Sequence, residues 1–126
     1  MTNDETTIIE PERRVCLLLS GGLDSSVLAA WLVHQGFEVS PVFVKFGQSN
    51  MKLEATAAKE VWKRIQEWQE IDPVTEVQTI DLLGWRRSVP DWMSMGSLPR
   101  NPLLVLSAVP HARDKGCRWI AVGCTA

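Results

Sequence analysis

The chain has 126 residues, 45% hydrophobic and 22% charged, with 13 basic against 15 acidic side chains and a formal net charge of -2. A chain of this size can bury roughly two-thirds of its unfolded surface, so one soluble domain needs neither disulfide nor metal staple. The near-neutral balance and scattered Lys and Arg exclude a broad electrostatic footprint for nucleic acid, while a local anion site stays open.

The cysteines, Cys16, Cys117 and Cys124, are odd in number and form no close metal-binding pair, which suits a reducing, cytoplasmic compartment. No window approaches the roughly 20 apolar residues of a membrane span, and the first ten residues lack an export-type apolar stretch. Residues 1–12 are polar and acidic and read as a flexible leader, leaving 13–126 as the folded domain.

Val15 to Leu19 is a continuous apolar run closed by Ser20-Gly21-Gly22, the pattern of a strand covered on both faces. From Asp24 the period changes, and Val27, Leu28, Trp31 and Leu32 predict the buried stripe of a helix ending at His34-Gln35-Gly36. Phe37 to Phe46 reads as a second strand, with Pro41 marking its entry or a bulge. A helix follows from about Lys52 to Gln69, with Leu53, Ala57, Val61, Ile65 and Trp68 as its apolar face. Asp72-Pro73 breaks it, and Thr75 to Ile80 alternates as a half-exposed third strand.

Residues 82–100 keep neither period and carry Gly84, Pro90, Gly96 and Pro99, so a long irregular connection with one short helix is expected there. Asn101-Pro102 looks like an N-cap and first helical position, opening a helix over Leu103 to Lys115 that Pro110 should kink. Gly116 can cap it, and Arg118 to Val122 predicts a fourth strand. Strands alternating with helices imply an α/β fold: an open, mostly parallel sheet with helices on both faces, binding ligands beyond its carboxyl edge.

The turn Leu19-Ser20-Gly21-Gly22-Leu23-Asp24-Ser25-Ser26 stands at that edge. Glycines let backbone N–H groups approach an anion, Ser20, Ser25 and Ser26 add hydroxyls, and the helix start adds partial positive charge, a set that suits a polyphosphate. Asp24 makes sense as a magnesium ligand or as an anchor of the loop, and is the one catalytic candidate. Neither a Walker sequence nor Gly-x-Gly-x-x-Gly is present.

Ser-Gly-Gly-Leu-Asp-Ser-Ser after an apolar strand resembles the pyrophosphatase loop of the ATP pyrophosphatase, or PP-loop, superfamily. Phe46-Gly47-Gln48 before a helix carrying Glu54, Pro99-Arg100-Asn101 before another, and the strand Ile120-Ala121-Val122-Gly123 are similar to segments of its 7-cyano-7-deazaguanine synthase family. The resemblance runs from about Val15 to the last residue and covers only the amino-terminal part of a typical synthase. It implies an adenine nucleotide alpha hydrolase-like fold, incomplete at the carboxyl end, with ATP and magnesium as cofactors. The implied reaction is ATP-dependent conversion of 7-carboxy-7-deazaguanine and ammonia to the nitrile. The family's zinc ligands would lie beyond Ala126. Lys45 stands where the family has aspartate, Ser49-Asn50 replaces Arg-His, and the glycine before Arg100 is missing, changes that touch substrate more than ATP.

Gln48, at a strand's carboxyl end, and Arg100 and Asn101, ahead of a helix, are the candidate substrate residues, with a solvated arginine and a simple cap as the plain alternatives for the last two. His34 and His111 have no partner spacing, so neither is assigned a role. Of the six tryptophans, Trp31, Trp62, Trp68 and Trp119 fall in expected elements and read as packing residues; Trp85 and Trp92, beside Arg86-Arg87, are lid candidates. Expected partners are ATP and a small molecule, with room for a homodimer or a completing chain. Another PP-loop adenylating enzyme, such as a tRNA-modifying one, and a non-catalytic ATP-binding module are the alternatives.

Overall fold

The structure is a computed structural model that describes residues 11–20, 22–45, 50–71, 75–82 and 100–123. Four strands, β1 (Arg14–Leu18), β2 (Glu38–Lys45), β3 (Gln78–Asp81) and β4 (Trp119–Val122), form one sheet in the order β3-β2-β1-β4. Every pairing is parallel, so all strands end at one edge. The helices α1 (Leu23–His34), α2 (Met51–Gln69) and α3 (Arg100–Asp114) connect them. A 3-10 turn over Pro11–Arg13 precedes β1.

Alternation along the strands divides the core. Val15, Leu17 and Leu19 with Val39 and Phe43 face α1 and α2, meeting Ala29, Leu32, Ala58, Trp62 and Ile65. Cys16, Leu18, Val42 and Val44 face α3, meeting Ala108 and Ala112. Both faces are thus covered, which is why β1 reads as an unbroken apolar run. Gly36 and Gly116, each with positive φ, end α1 and α3 as expected.

Several local expectations are corrected. The buried face of α1 is Ser25, Ala29 and Leu32, while Val27 and Trp31 stay more than half exposed. The face of α2 is Ala58, Trp62, Ile65 and Gln66, and Leu53 and Trp68 are exposed, Trp68 stacking on His34 at 6.4 Å. Small residues at the centres of these faces let both helices lie close to the sheet. Trp62 is indeed a packing residue, whereas Trp31, Trp68 and Trp119 are mainly at the surface.

Pro41 is neither entry nor bulge. It sits inside β2 opposite Leu17 in unbroken register. The Val42 carbonyl accepts from Leu19 N–H, so by alternation Pro41 turns its missing donor towards β3. The ladder to β3 therefore starts at Val42 with Gln78, and β3 occupies Gln78–Asp81 and not 75–80. The preceding segment is held by side chains: Thr75 N–H donates to Gln66 Oε1 at 2.7 Å, and Gln66 Nε2 and Trp62 Nε1 donate to the Thr75 carbonyl at 3.0 and 3.1 Å. That network also explains why Gln66 can be buried.

The helix α3 opens at Arg100, so Asn101 lies within its first turn and is not the N-cap. Pro102 fits there because first-turn N–H groups have no intrahelical acceptor, and the helix runs on through Pro110 to Asp114. Among the described residues, no helix is long and apolar enough to cross a membrane.

Candidate nucleotide site at the carboxyl edge

The strand order reverses at β1: the chain moves outward from β1 to β3, then returns to place β4 on the other side of β1. Open α/β sheets hold ligands in the crevice at such a reversal, beyond the carboxyl ends of the strands. The turn from β1 into α1 occupies that position.

Its serines have distinct roles. Ser25 is 2% exposed, and its hydroxyl accepts from Ser20 N–H at 3.1 Å, meets Ser20 Oγ at 3.0 Å and donates to the Gly22 carbonyl at 3.4 Å. It works as an internal brace. Ser26 Oγ donates to the same carbonyl at 2.6 Å, and Gly22 N–H donates to Ser20 Oγ at 3.3 Å. Leu19 is a core residue whose N–H is given to Val42, so only its carbonyl side belongs to the turn.

Gly22 precedes α1 with extended backbone and no side-chain cap. The first bond of the helix runs from Ser26 N–H to the Gly22 carbonyl, so by helix geometry the N–H groups of Leu23, Asp24 and Ser25 have no intrahelical acceptor. They point, with the positive end of the helix dipole, out of the helix start, an arrangement that suits anions. Asp24 is exposed in this first turn. A single exposed carboxylate at an anion-favouring helix start is a donor that would suit a phosphate-bound magnesium ion.

Gly123, which sequence reasoning did not select, completes the site from β4. A Cβ there would lie 2.9 Å from the Asp24 carbonyl carbon and from Ser25 N and Cα. Only glycine allows the end of β4 to meet the start of α1 so closely. The signal available was a glycine directly after an apolar strand.

Arg100 and Asn101 open α3, which starts at the same edge of the sheet; their side chains lie outside the described residues. So do Gly21, Gln48, the segment with Trp85, Arg86, Arg87 and Trp92, and Cys124. The structure therefore joins Ser20 and Gly22 to Ser26 with Gly123 and brings no described substrate candidate into contact with them.

Away from this edge, Cys16 is a free, buried thiol whose pKa is pushed up to about 12 by burial, with Cys117 adding to the effect. Burial also raises Cys117. Among the described residues no group of three or more His, Cys, Asp or Glu could hold a metal ion. A notch of about 410 Å³ lined by Glu38, Ser40, His111 and Lys115 opens at the opposite, amino edge. That is the wrong end of a parallel sheet for the helix start described above.

Comparison with known proteins agrees with this geometry. The family described as Arginosuccinate synthase N-terminal HUP domain matches residues 14–126. The argininosuccinate synthase of Saccharomyces cerevisiae is 30% identical over 118 residues, covering 89% of this chain and 27% of the relative. The 7-cyano-7-deazaguanine synthase of Acetivibrio thermocellus is 32% identical over 122 residues, covering 90% and 54%. That of Methanopyrus kandleri is 38% identical over 86 residues, covering 67% and 34%. The chain thus spans between about a quarter and a half of these relatives' lengths, and it is as similar to one kind of synthase as to the other. With the sheet order, the loop and the family match in agreement, the chain belongs to the argininosuccinate synthase N-terminal HUP domain family, a PP-loop fold.

Proposed function

We propose that this chain is the ATP-binding part of an ATP-dependent carbon–nitrogen ligase that activates its acceptor by adenylation. The observation that carries the reading is the start of α1 at the sheet's reversal point, where by helix geometry the N–H groups of Leu23, Asp24 and Ser25 have no intrahelical acceptor. In this reading Ser20 to Ser26 surround the polyphosphate, with Leu19 contributing only backbone. Magnesium, held in part by Asp24, would offset the phosphate charge.

The proposed chemistry is attack of a carboxylate oxygen on the α-phosphorus. Its bond to the β-phosphate oxygen breaks, pyrophosphate leaves, and ammonia then displaces AMP. The backbone donors serve it by stabilising charge that develops on the departing pyrophosphate, in an arrangement set before reaction. For the acceptor we propose 7-carboxy-7-deazaguanine; the resulting amide oxygen is then adenylated by a second ATP with loss of pyrophosphate, and departs with AMP as the nitrogen loses its two protons to give the nitrile. This is supported by the Phe46-Gly47-Gln48 and Pro99-Arg100-Asn101 segments and the synthases at 32% and 38% identity, with Gln48, Arg100 and Asn101 as the residues to hold it. The family match favours a second reading, synthesis of argininosuccinate.

The test is pyrophosphate and AMP release from ATP and magnesium with each acceptor in turn, alongside the melting temperature. Acceptor-dependent release with the deazaguanine supports the first reading, and release with the reagents for argininosuccinate supports the second. A rise in melting temperature without any turnover leaves a non-catalytic ATP-binding module, and no rise at millimolar ATP defeats the nucleotide assignment itself.

A further inference from the structure

We infer that Lys45, the last residue of β2, is a polyphosphate-binding residue of this site; the inference rests on the nucleotide reading above. Three placements in the fold lead to it. Leu18 pairs with Val42, so Lys45 stands three residues beyond the last β1–β2 pair, about 10 Å further along the strand direction, at the height of the turn and not of the core.

Side-chain alternation then fixes the face. Val39 and Phe43 pack towards α1 and α2, and Lys45 follows them in the same alternation. That is the face on which α1 packs, the helix whose first-turn N–H groups have no intrahelical acceptor. Lys45 is half-buried there, next to the strand that leads into the turn.

The third placement is Asp81, paired with Lys45 across β2–β3 and so on the same face. Register thus sets an acidic residue abreast of the basic one at the carboxyl edge. An ammonium at this height offers a point charge with rotatable donors, a form suited to phosphate oxygens. It adds to the helix-end N–H groups a full positive charge that the turn itself lacks, on the side of the turn away from Gly123.

The assignment predicts a graded preference, because the charge acts on the phosphate tail and not on the nucleoside. Isothermal titration with ATP, inorganic pyrophosphate and AMP, each with magnesium, tests it on the wild-type chain and on Lys45→Met and Lys45→Arg. Lys45→Met keeps the aliphatic stem, so folding is preserved, and circular dichroism checks it. Loss of a charge-assisted bond should weaken ATP and pyrophosphate by about tenfold or more and leave AMP within about twofold. Lys45→Arg should recover most of the loss.

Equal affinities for wild type and Lys45→Met overturn the inference while leaving ATP binding intact. Equal weakening of ATP and AMP also overturns it, as it assigns Lys45 to the nucleoside or to the fold. Failure of the wild type to bind ATP or pyrophosphate overturns the nucleotide reading, and this inference with it.

Discussion

Gly123→Ala is the most discriminating perturbation of the site. The added methyl would lie 2.9 Å from three backbone atoms of Asp24 and Ser25. Carbon contacts are optimal at about 3.5–4.0 Å, so the shortfall is roughly 0.6 Å or more, and no rotamer change can relieve it. Either β4 or the first turn of α1 must move. Overpacking of this kind costs about 1–3 kcal/mol, so the guanidinium denaturation midpoint should fall measurably. Displacing the turn also misaligns the N–H donors of Asp24 and Ser25. A hydrogen bond to a charged acceptor contributes about 1.5–3 kcal/mol, so ATP affinity should drop tenfold or more by isothermal titration. Gly22→Ala is the matched control, because among the described residues its methyl meets Ser20 Oγ alone, at 3.4 Å, and its φ of -84° is open to any residue. It should fold with an unchanged midpoint. A Gly123→Ala chain with wild-type stability and wild-type ATP affinity would refute the account of how β4 and α1 build the site.

Removing the Ser25 hydroxyl deprives Ser20 N–H of its acceptor inside the turn, so Ser25→Ala should cost about 1–3 kcal/mol and weaken ATP; Ser26→Ala, on an exposed hydroxyl, should cost less in the same denaturation series. His111 has its pKa lowered by burial and next by Lys115, with Asp114 opposing. The unfolded chain takes up this proton near pH 6.5 and the folded chain only below that, so stability is complete above 6.5 and declines as pH falls. Denaturation midpoints at pH 7 and pH 5 should differ less in His111→Gln than in wild type, and an identical pH response would remove His111 from the explanation.

The elements, their order and the turn were legible because each rests on local chemistry: an apolar run, a glycine pair, a change of period. Helix faces were less so. The α1 sequence is apolar nearly all round, with Leu23, Val27, Ala29, Trp31 and Val33 on different sides, so hydrophobic spacing cannot choose the buried face. Close approach to the sheet chose it, through Ser25 and Ala29. In α2 the choice turned on Trp62 and Gln66, whose polar atoms are satisfied by Thr75 after the helix has ended. Gly123 was missed for a related reason, since the atoms that demand a glycine belong to Asp24 and Ser25, distant in the chain. Lys45 was visible as a change that touches substrate more than ATP, while the height and face that point it to the phosphates follow from strand register.

Pro41 has an effect at the far end of its strand. For β3 to slide two residues back along β2, keeping its faces, Gln78 would lie opposite Ser40, and the new ladder would call for an N–H that the pyrrolidine ring does not have. The slipped pairing would also leave Asp81 beside Phe43, over the apolar core, instead of beside Lys45. One imino acid near the start of a strand thus acts as a stop, penalising the shifted sheet and keeping two opposite charges abreast about 13 Å away, four residues further on.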